Sequence, residues 1–192
     1  MKCTNEEINY KIGEMFLDDS RSYLARYHQL VEKATERGRR CKLLVDIRFA
    51  IECALKALIF FESTDDEKKT YQRVKKLGHK LEDLFKDPSV SCHSDIMACY
   101  PDVQKLNLDD YDVFLRYSLE AFIEFGAEAD KSDYYDMVNN LMNNNSIYDT
   151  AKKITDAVDK KKSKPIEITN FGDFDVEQLI ECNNRIKNIR VK

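Results

Sequence analysis

The chain has 192 residues, 43% hydrophobic and 34% charged, with only five glycines and three prolines. That balance suits one helical globule with its own core and excludes a disordered chain or a turn-rich sheet protein. The net charge of −4 gives no general attraction to nucleic acid or to an anionic membrane, and no apolar run reaches the ~18 residues a membrane span needs.

The opening Met1-Lys-Cys-Thr-Asn-Glu-Glu7 is too polar and acidic for a signal peptide, so a soluble cytoplasmic protein is the expectation. Thr4 with Glu7 has the form of a capping box. It predicts a long first helix through about residue 36 that buries Ile8, Ile12, Met15, Phe16, Tyr23, Tyr27, Leu30, Val31 and Ala34. Arg37-Gly-Arg-Arg40 reads as a basic turn, because glycine permits the reversal a returning helix needs.

The second helix, from about Cys41 to Phe61, carries Ile47, Ile51, Ala54, Leu55, Leu58 and Ile59 in one stripe. Beside that stripe Arg48, Glu52 and Lys56 stand four residues apart, so two cations flank a carboxylate in or next to the core. The simplest reading is a salt-bridged flank. The functional alternative is a phosphate or nucleotide pocket in which Arg48 and Lys56 donate and Glu52 orients them.

Residues 62–76 are charged and weakly periodic, which predicts a solvated connection or a short exposed helix ended by Gly78. A short third helix follows over His79–Lys86, with His79 as its cap or as a partner for a helix carboxylate. Residues 89–107 read as irregular apart from a turn near Ile96–Tyr100. Asn107 or Asp109 caps a fourth helix reaching about Ala129, on which Arg116 and Glu120 sit one turn apart and pair or line a cleft.

A fifth helix is predicted over Tyr134–Met142 and a sixth over Ile147–Lys162, ending in lysines that suit the helix dipole. Ile166-Glu-Ile-Thr is the only strand-like stretch, and Asp175 with Gln178 opens a terminal helix through about Ile189. The expected architecture is all-α: an up-and-down antiparallel bundle of four to five core helices over residues 1–145, with a C-terminal helical appendage over 146–192. The six cysteines follow no repeating framework and are expected as free thiols. Cys92, His93 and Cys99 lack a Cys-x2-Cys pair and a fourth ligand, so neither a metal nor another cofactor is expected.

Ala50-Ile-Glu-Cys-Ala-Leu-Lys-Ala-Leu58, then Gly78-His-Lys-Leu-Glu-Asp-Leu84, resemble the second and third helices of the HEPN superfamily (higher eukaryote and prokaryote nucleotide-binding domains). Tyr23-Leu-Ala25 and Arg116-Tyr-Ser-Leu-Glu-Ala-Phe-Ile-Glu-Phe125 resemble its first and fourth, so the resemblance covers about residues 10–130. It implies a four- to five-helix bundle. It also implies partners among nucleotides or RNA, a second copy of the chain, or a toxin–antitoxin or phage-defence protein.

Ribonuclease members of that superfamily carry Arg-x4–6-His on the last core helix, where arginine stabilises phosphate charge and histidine moves a proton. Here residues 121–123 follow Arg116 at that spacing without a histidine, and all three histidines lie upstream of it. Gly126-Ala127 stands where some relatives have an Arg-Tyr pair. The expectation is therefore a non-catalytic binding or regulatory protein with Arg48, Glu52, Lys56 and Arg116 as binding residues. One alternative is an atypical ribonuclease drawing on Arg116, His79 and Glu120. Another is a structural interaction domain that docks through residues 165–192.

Overall fold

In the computed structural model, which describes residues 4–126, 133–140, 146–162 and 176–189, the Thr4–Glu7 capping box forms as expected. The Thr4 hydroxyl accepts from the Glu7 amide at 3.2 Å, and the Glu7 carboxylate accepts from the Thr4 amide at 2.7 Å. It opens α1 (Asn5–Leu30), which tightens into a 3-10 turn at Val31–Lys33. The chain reverses at residues 34–36, and α2 begins at Arg37, so Gly38 lies inside the first turn of a helix rather than in the turn itself.

Pairs across α1 and α2 (Arg37–Phe61) run in opposite directions along the chain. Asn9 donates to the carbonyls of Ser63 and Asp65, Ser20 to Ala50, and Arg26 to Asp46. The two helices are thus an antiparallel hairpin. Gly13 marks their closest approach: a methyl group there would fall 2.5 Å from the Phe61 ring and 3.1 Å from the Ala57 carbonyl.

The buried face of α1 is Ile8, Ile12, Leu17, Ser20, Leu24 and Tyr27, while Met15 and Leu30, predicted as core, stand exposed. α2 is buried along almost its whole length from Cys41 on, its apolar residues together with Asp46, Arg48, Glu52 and Lys56.

The stretch predicted as solvated contains α3 (Glu67–Leu77), capped by Asp66 and packed inward through Thr70 and Val74. It is followed by α4 (Leu81–Lys86) and by three short helices where irregular chain was expected: α5 (Pro88–Ser91), α6 (Ser94–Met97) and α7 (Tyr100–Lys105). Asp87 and the prolines at the starts of α5 and α7 explain these single turns, since Asp87 accepts from the Ser89 amide and proline suits a first helical position.

The predicted fourth helix is broken into α8 (Asp112–Arg116) and α9 (Ser118–Phe125), with Tyr117 extended between them. In an unbroken helix the carbonyls of Phe114 and Arg116 would accept from amides four residues on. Here the Tyr134 hydroxyl donates to the first at 2.9 Å and the Lys42 ammonium to the second, so neighbouring helices capture what the helix would use. α9 then stops at Gly126, whose φ of +71° is open to glycine at little cost, rather than reaching Ala129.

α10 (Asp133–Asn140) supplies Tyr134, Tyr135 and Val138 to the core. α11 (Ser146–Lys161) lies against both α1 and α2. Tyr148 stacks on Tyr27, Thr155 bonds Ser20, and Lys162 just beyond α11 reaches Glu14, a sequence of partners that runs antiparallel to α1. Ala151, Ile154 and Val158 are fully buried, so this segment completes the bundle interior. α12 (Val176–Lys187) docks through Arg185, which donates to the buried Glu67 carboxylate.

The molecule is all-α, and its described residues contain no strand. The strand-like stretch 166–169 and the Asp175 cap lie outside the described residues.

Candidate functional site

The i, i+4 column on α2 forms as the sequence spacing predicts, and it is buried. The side chains of Arg48, Glu52 and Lys56 are 3%, 5% and 9% exposed. Lys56 Nζ donates to Glu52 Oε1 at 2.7 Å, and Arg48 donates to Glu52 Oε2 at 3.2 Å.

The turn before α4 adds a third contact. His79 Nδ1 lies 2.8 Å from Glu52 Oε1, and the His79 carbonyl accepts from Arg48 at 2.5 Å. An ionised carboxylate only accepts, so Nδ1 carries the hydrogen. The imidazole side chain is 74% exposed. His79 is thus the carboxylate partner that the sequence allowed, while Lys80 occupies the N-cap position of α4.

Two acidic residues that the sequence did not assign to this column, Asp109 (expected as a helix cap) and Asp112, complete the cluster. Asp109 accepts from Arg48 at 3.3 Å and from the Leu81 and Glu82 amides at 3.0 and 3.1 Å, so it caps α4 from a distance rather than opening the next helix. Asp112 lies 3.5 Å from Arg48 Nε and accepts from Arg116 at 2.5 Å. The acidic run Asp109-Asp-Tyr-Asp112, with Arg116 four residues beyond, carried the signal: carboxylates placed to meet a buried arginine.

A chain of contacts therefore runs from His79 through Glu52, Arg48 and Asp112 to Arg116. Three fixed cations (Arg48, Lys56, Arg116) meet three carboxylates (Glu52, Asp109, Asp112), so the cluster balances apart from the imidazole. Glu120 does not join it. The break at Tyr117 separates it from Arg116, and it stands exposed on α9. Arg48 and Lys56 are buried and paired with carboxylates of the protein itself, although Arg48 Nε, 3.5 Å from Asp112, makes no hydrogen bond; that pairing favours the structural role of the column over a phosphate pocket.

The buried thiols add no reactive group. Burial pushes Cys53 up to about 12, and burial likewise raises Cys41, whose Sγ lies 3.3 Å from the Tyr134 hydroxyl. Cys41, Cys53, Cys92 and Cys99 are free, but Cys182 is disulfide-bonded, contrary to the expectation of free thiols throughout. Cysteine spacing alone does not decide pairing. Among the described residues no cluster of three or more metal-ligating side chains occurs, and no helix is long and apolar enough to cross a membrane.

Beside this cluster the surface turns apolar. On α9, Leu119, Phe122 and Ile123 are 64%, 56% and 72% exposed at helical spacing, with Tyr117 and Val113 also exposed nearby in sequence. Glu120 and Glu124 share the helix. Its start is marked by Lys42, bonded to the Arg116 carbonyl, and its end by Arg37, which lies 4.3 Å over the Tyr135 ring whose hydroxyl donates to the Gly126 carbonyl.

Fold and site thus define an all-α bundle with a buried ion cluster and an uncovered apolar helix face. No protein-family model, no curated protein and no solved structure matches the chain.

Proposed function

We propose that the chain is a HEPN-like, non-catalytic regulatory module that works by protein association, pairing with a second copy of itself through α9. The observation that carries this reading is the exposed stripe of Leu119, Phe122 and Ile123, since single exposed leucines are ordinary but three large apolar side chains on one helix face are not. Their exposed fractions amount to about two whole side chains, worth about 4 kcal/mol per protomer when covered.

Charge complementarity favours a copy of the same chain. Glu120 and Glu124 lie on α9, and Arg37 and Lys42 border it, so a two-fold axis across α9 brings the carboxylates of each copy toward the basic edge of the other. The buried ion cluster anchors α8 to α2 and so fixes where α9 begins. A toxin–antitoxin or phage-defence setting is the biological context the HEPN resemblance suggests.

Sedimentation equilibrium tests the reading. The wild-type chain dimerises at low-micromolar concentration, and Phe122→Asp yields a folded monomer. A wild-type chain that stays monomeric at high-micromolar concentration refutes it.

A second reading rests on His79, an exposed imidazole oriented by a buried carboxylate. Such a pairing suits a proton shuttle, and an atypical ribonuclease would combine it with Arg116. RNA cleavage by the purified chain that is lost in both His79→Ala and Arg116→Ala supports this reading; cleavage that persists in either variant removes it.

A further inference from the structure

We propose that the groove between the C-terminal half of α1 and the first turns of α2 binds a small amphipathic anion, a carboxylate on a hydrocarbon chain. The groove has a volume of about 550 Å³, within the range of ordinary ligand pockets. Arg26, Leu30 and Ala34 form one wall at four-residue spacing. Arg39, Lys42, Leu43 and Asp46 form the other, one continuous face of α2.

The charges in this groove do not balance. Asp46 is consumed by Arg26, whose Nε donates to it at 2.8 Å while a second guanidinium nitrogen holds the other oxygen. Lys42 meets a backbone carbonyl and no carboxylate. Arg39 has only Glu36 at 3.7 Å, both side chains largely exposed, and the Lys33 carbonyl at 3.5 Å.

Two cations three residues apart on one helix face repel weakly, and an anion seated between them relieves that repulsion. Below them Leu30, Ala34 and Leu43 give an aliphatic floor. No aromatic side chain lines the groove, which suits a hydrocarbon chain better than a nucleobase, for which a stacking ring is the usual platform. The groove is separate from the Arg48–Glu52–Lys56 column, whose charges are paired within the protein.

Decanoate, decylammonium and adenosine monophosphate are the probes, titrated calorimetrically into the full-length protein. Decanoate binds saturably, and decylammonium does not bind. The surface double variant Arg39→Glu/Lys42→Glu weakens decanoate about tenfold or more, whereas Phe122→Asp on α9 leaves its affinity unchanged. The proposal is overturned if decylammonium binds equally well, if adenosine monophosphate binds more tightly than decanoate, or if the charge reversals have no effect. Loss of binding in Phe122→Asp also overturns it, by moving the ligand to the α9 face.

Discussion

Replacing Glu52 with glutamine keeps the shape of the α2 column and removes its only carboxylate. Lys56, with 9% of its side chain exposed, then has no counter-charge, and Arg48, at 3%, keeps the His79 carbonyl and its longer contacts to Asp109 and Asp112. Glutamine keeps one acceptor oxygen, so either Arg48 or the Lys56–His79 side meets an NH2 group in place of an acceptor. Removing one member of a buried ion cluster leaves an uncompensated charge, which costs about 3–5 kcal/mol. A chain of this size unfolds in urea with a slope of about 2 kcal/mol per molar, so the midpoint falls by about 2 M.

The companion is Arg48→Met/Glu52→Leu/Lys56→Met, which removes the whole column while conserving volume. Apolar replacement of a buried ion cluster is neutral or stabilising, so this variant recovers most of the loss or exceeds wild type. Urea unfolding followed by circular dichroism reads both variants. A loss below about 1 kcal/mol in Glu52→Gln would refute the assignment of the column as a buried, mutually dependent structural unit.

Other consequences are local. Gly13→Ala gains about 1 kcal/mol of helix propensity but drives a methyl group against Phe61 and the Ala57 carbonyl, so urea unfolding registers a net loss of about 1 kcal/mol. Arg185 holds Glu67 below its ordinary value of 4.5, although burial alone would raise it. The pair therefore stabilises above the unfolded value and loses its effect as pH falls through the depressed one; Glu67→Gln costs about 1–2 kcal/mol at neutral pH, and the difference from wild type fades in acid. With Cys53 raised to about 12 by burial and Cys92 exposed, a thiol-specific reagent at pH 8 labels Cys92 rapidly. Cys92→Ser removes one equivalent of fast reaction, and Cys53→Ser removes none.

The long helices were legible because each announces itself locally. Thr4 and Glu7 cap α1, and the apolar run from Ile47 to Phe60, interrupted only by Arg48, Glu52 and Lys56, makes α2 central. The column of Arg48, Glu52 and Lys56 followed from four-residue spacing alone. What the sequence hid was decided by distant partners.

The helix expected through residues 109–129 breaks at Tyr117 because Tyr134 and Lys42, far away in the chain, take two of its carbonyls. Asp109 reads locally as the cap of the following helix, yet it caps α4 across space. Gly38 misled because a glycine tolerated in a first helical turn looks the same in sequence as one that makes a bend. Met15 fell on the wrong side because an apolar residue between two buried positions shifts the apparent stripe by half a turn.

Association through α9 is the claim on which the functional reading rests, and amide hydrogen exchange across residues 118–125 tests it most directly. If two copies meet there, protection of these amides rises as protein concentration passes from low to high micromolar, while α1 and α2 stay unchanged, and Phe122→Asp abolishes the rise. Exchange in α9 that is independent of concentration, with the rest of the bundle protected, would contradict the account.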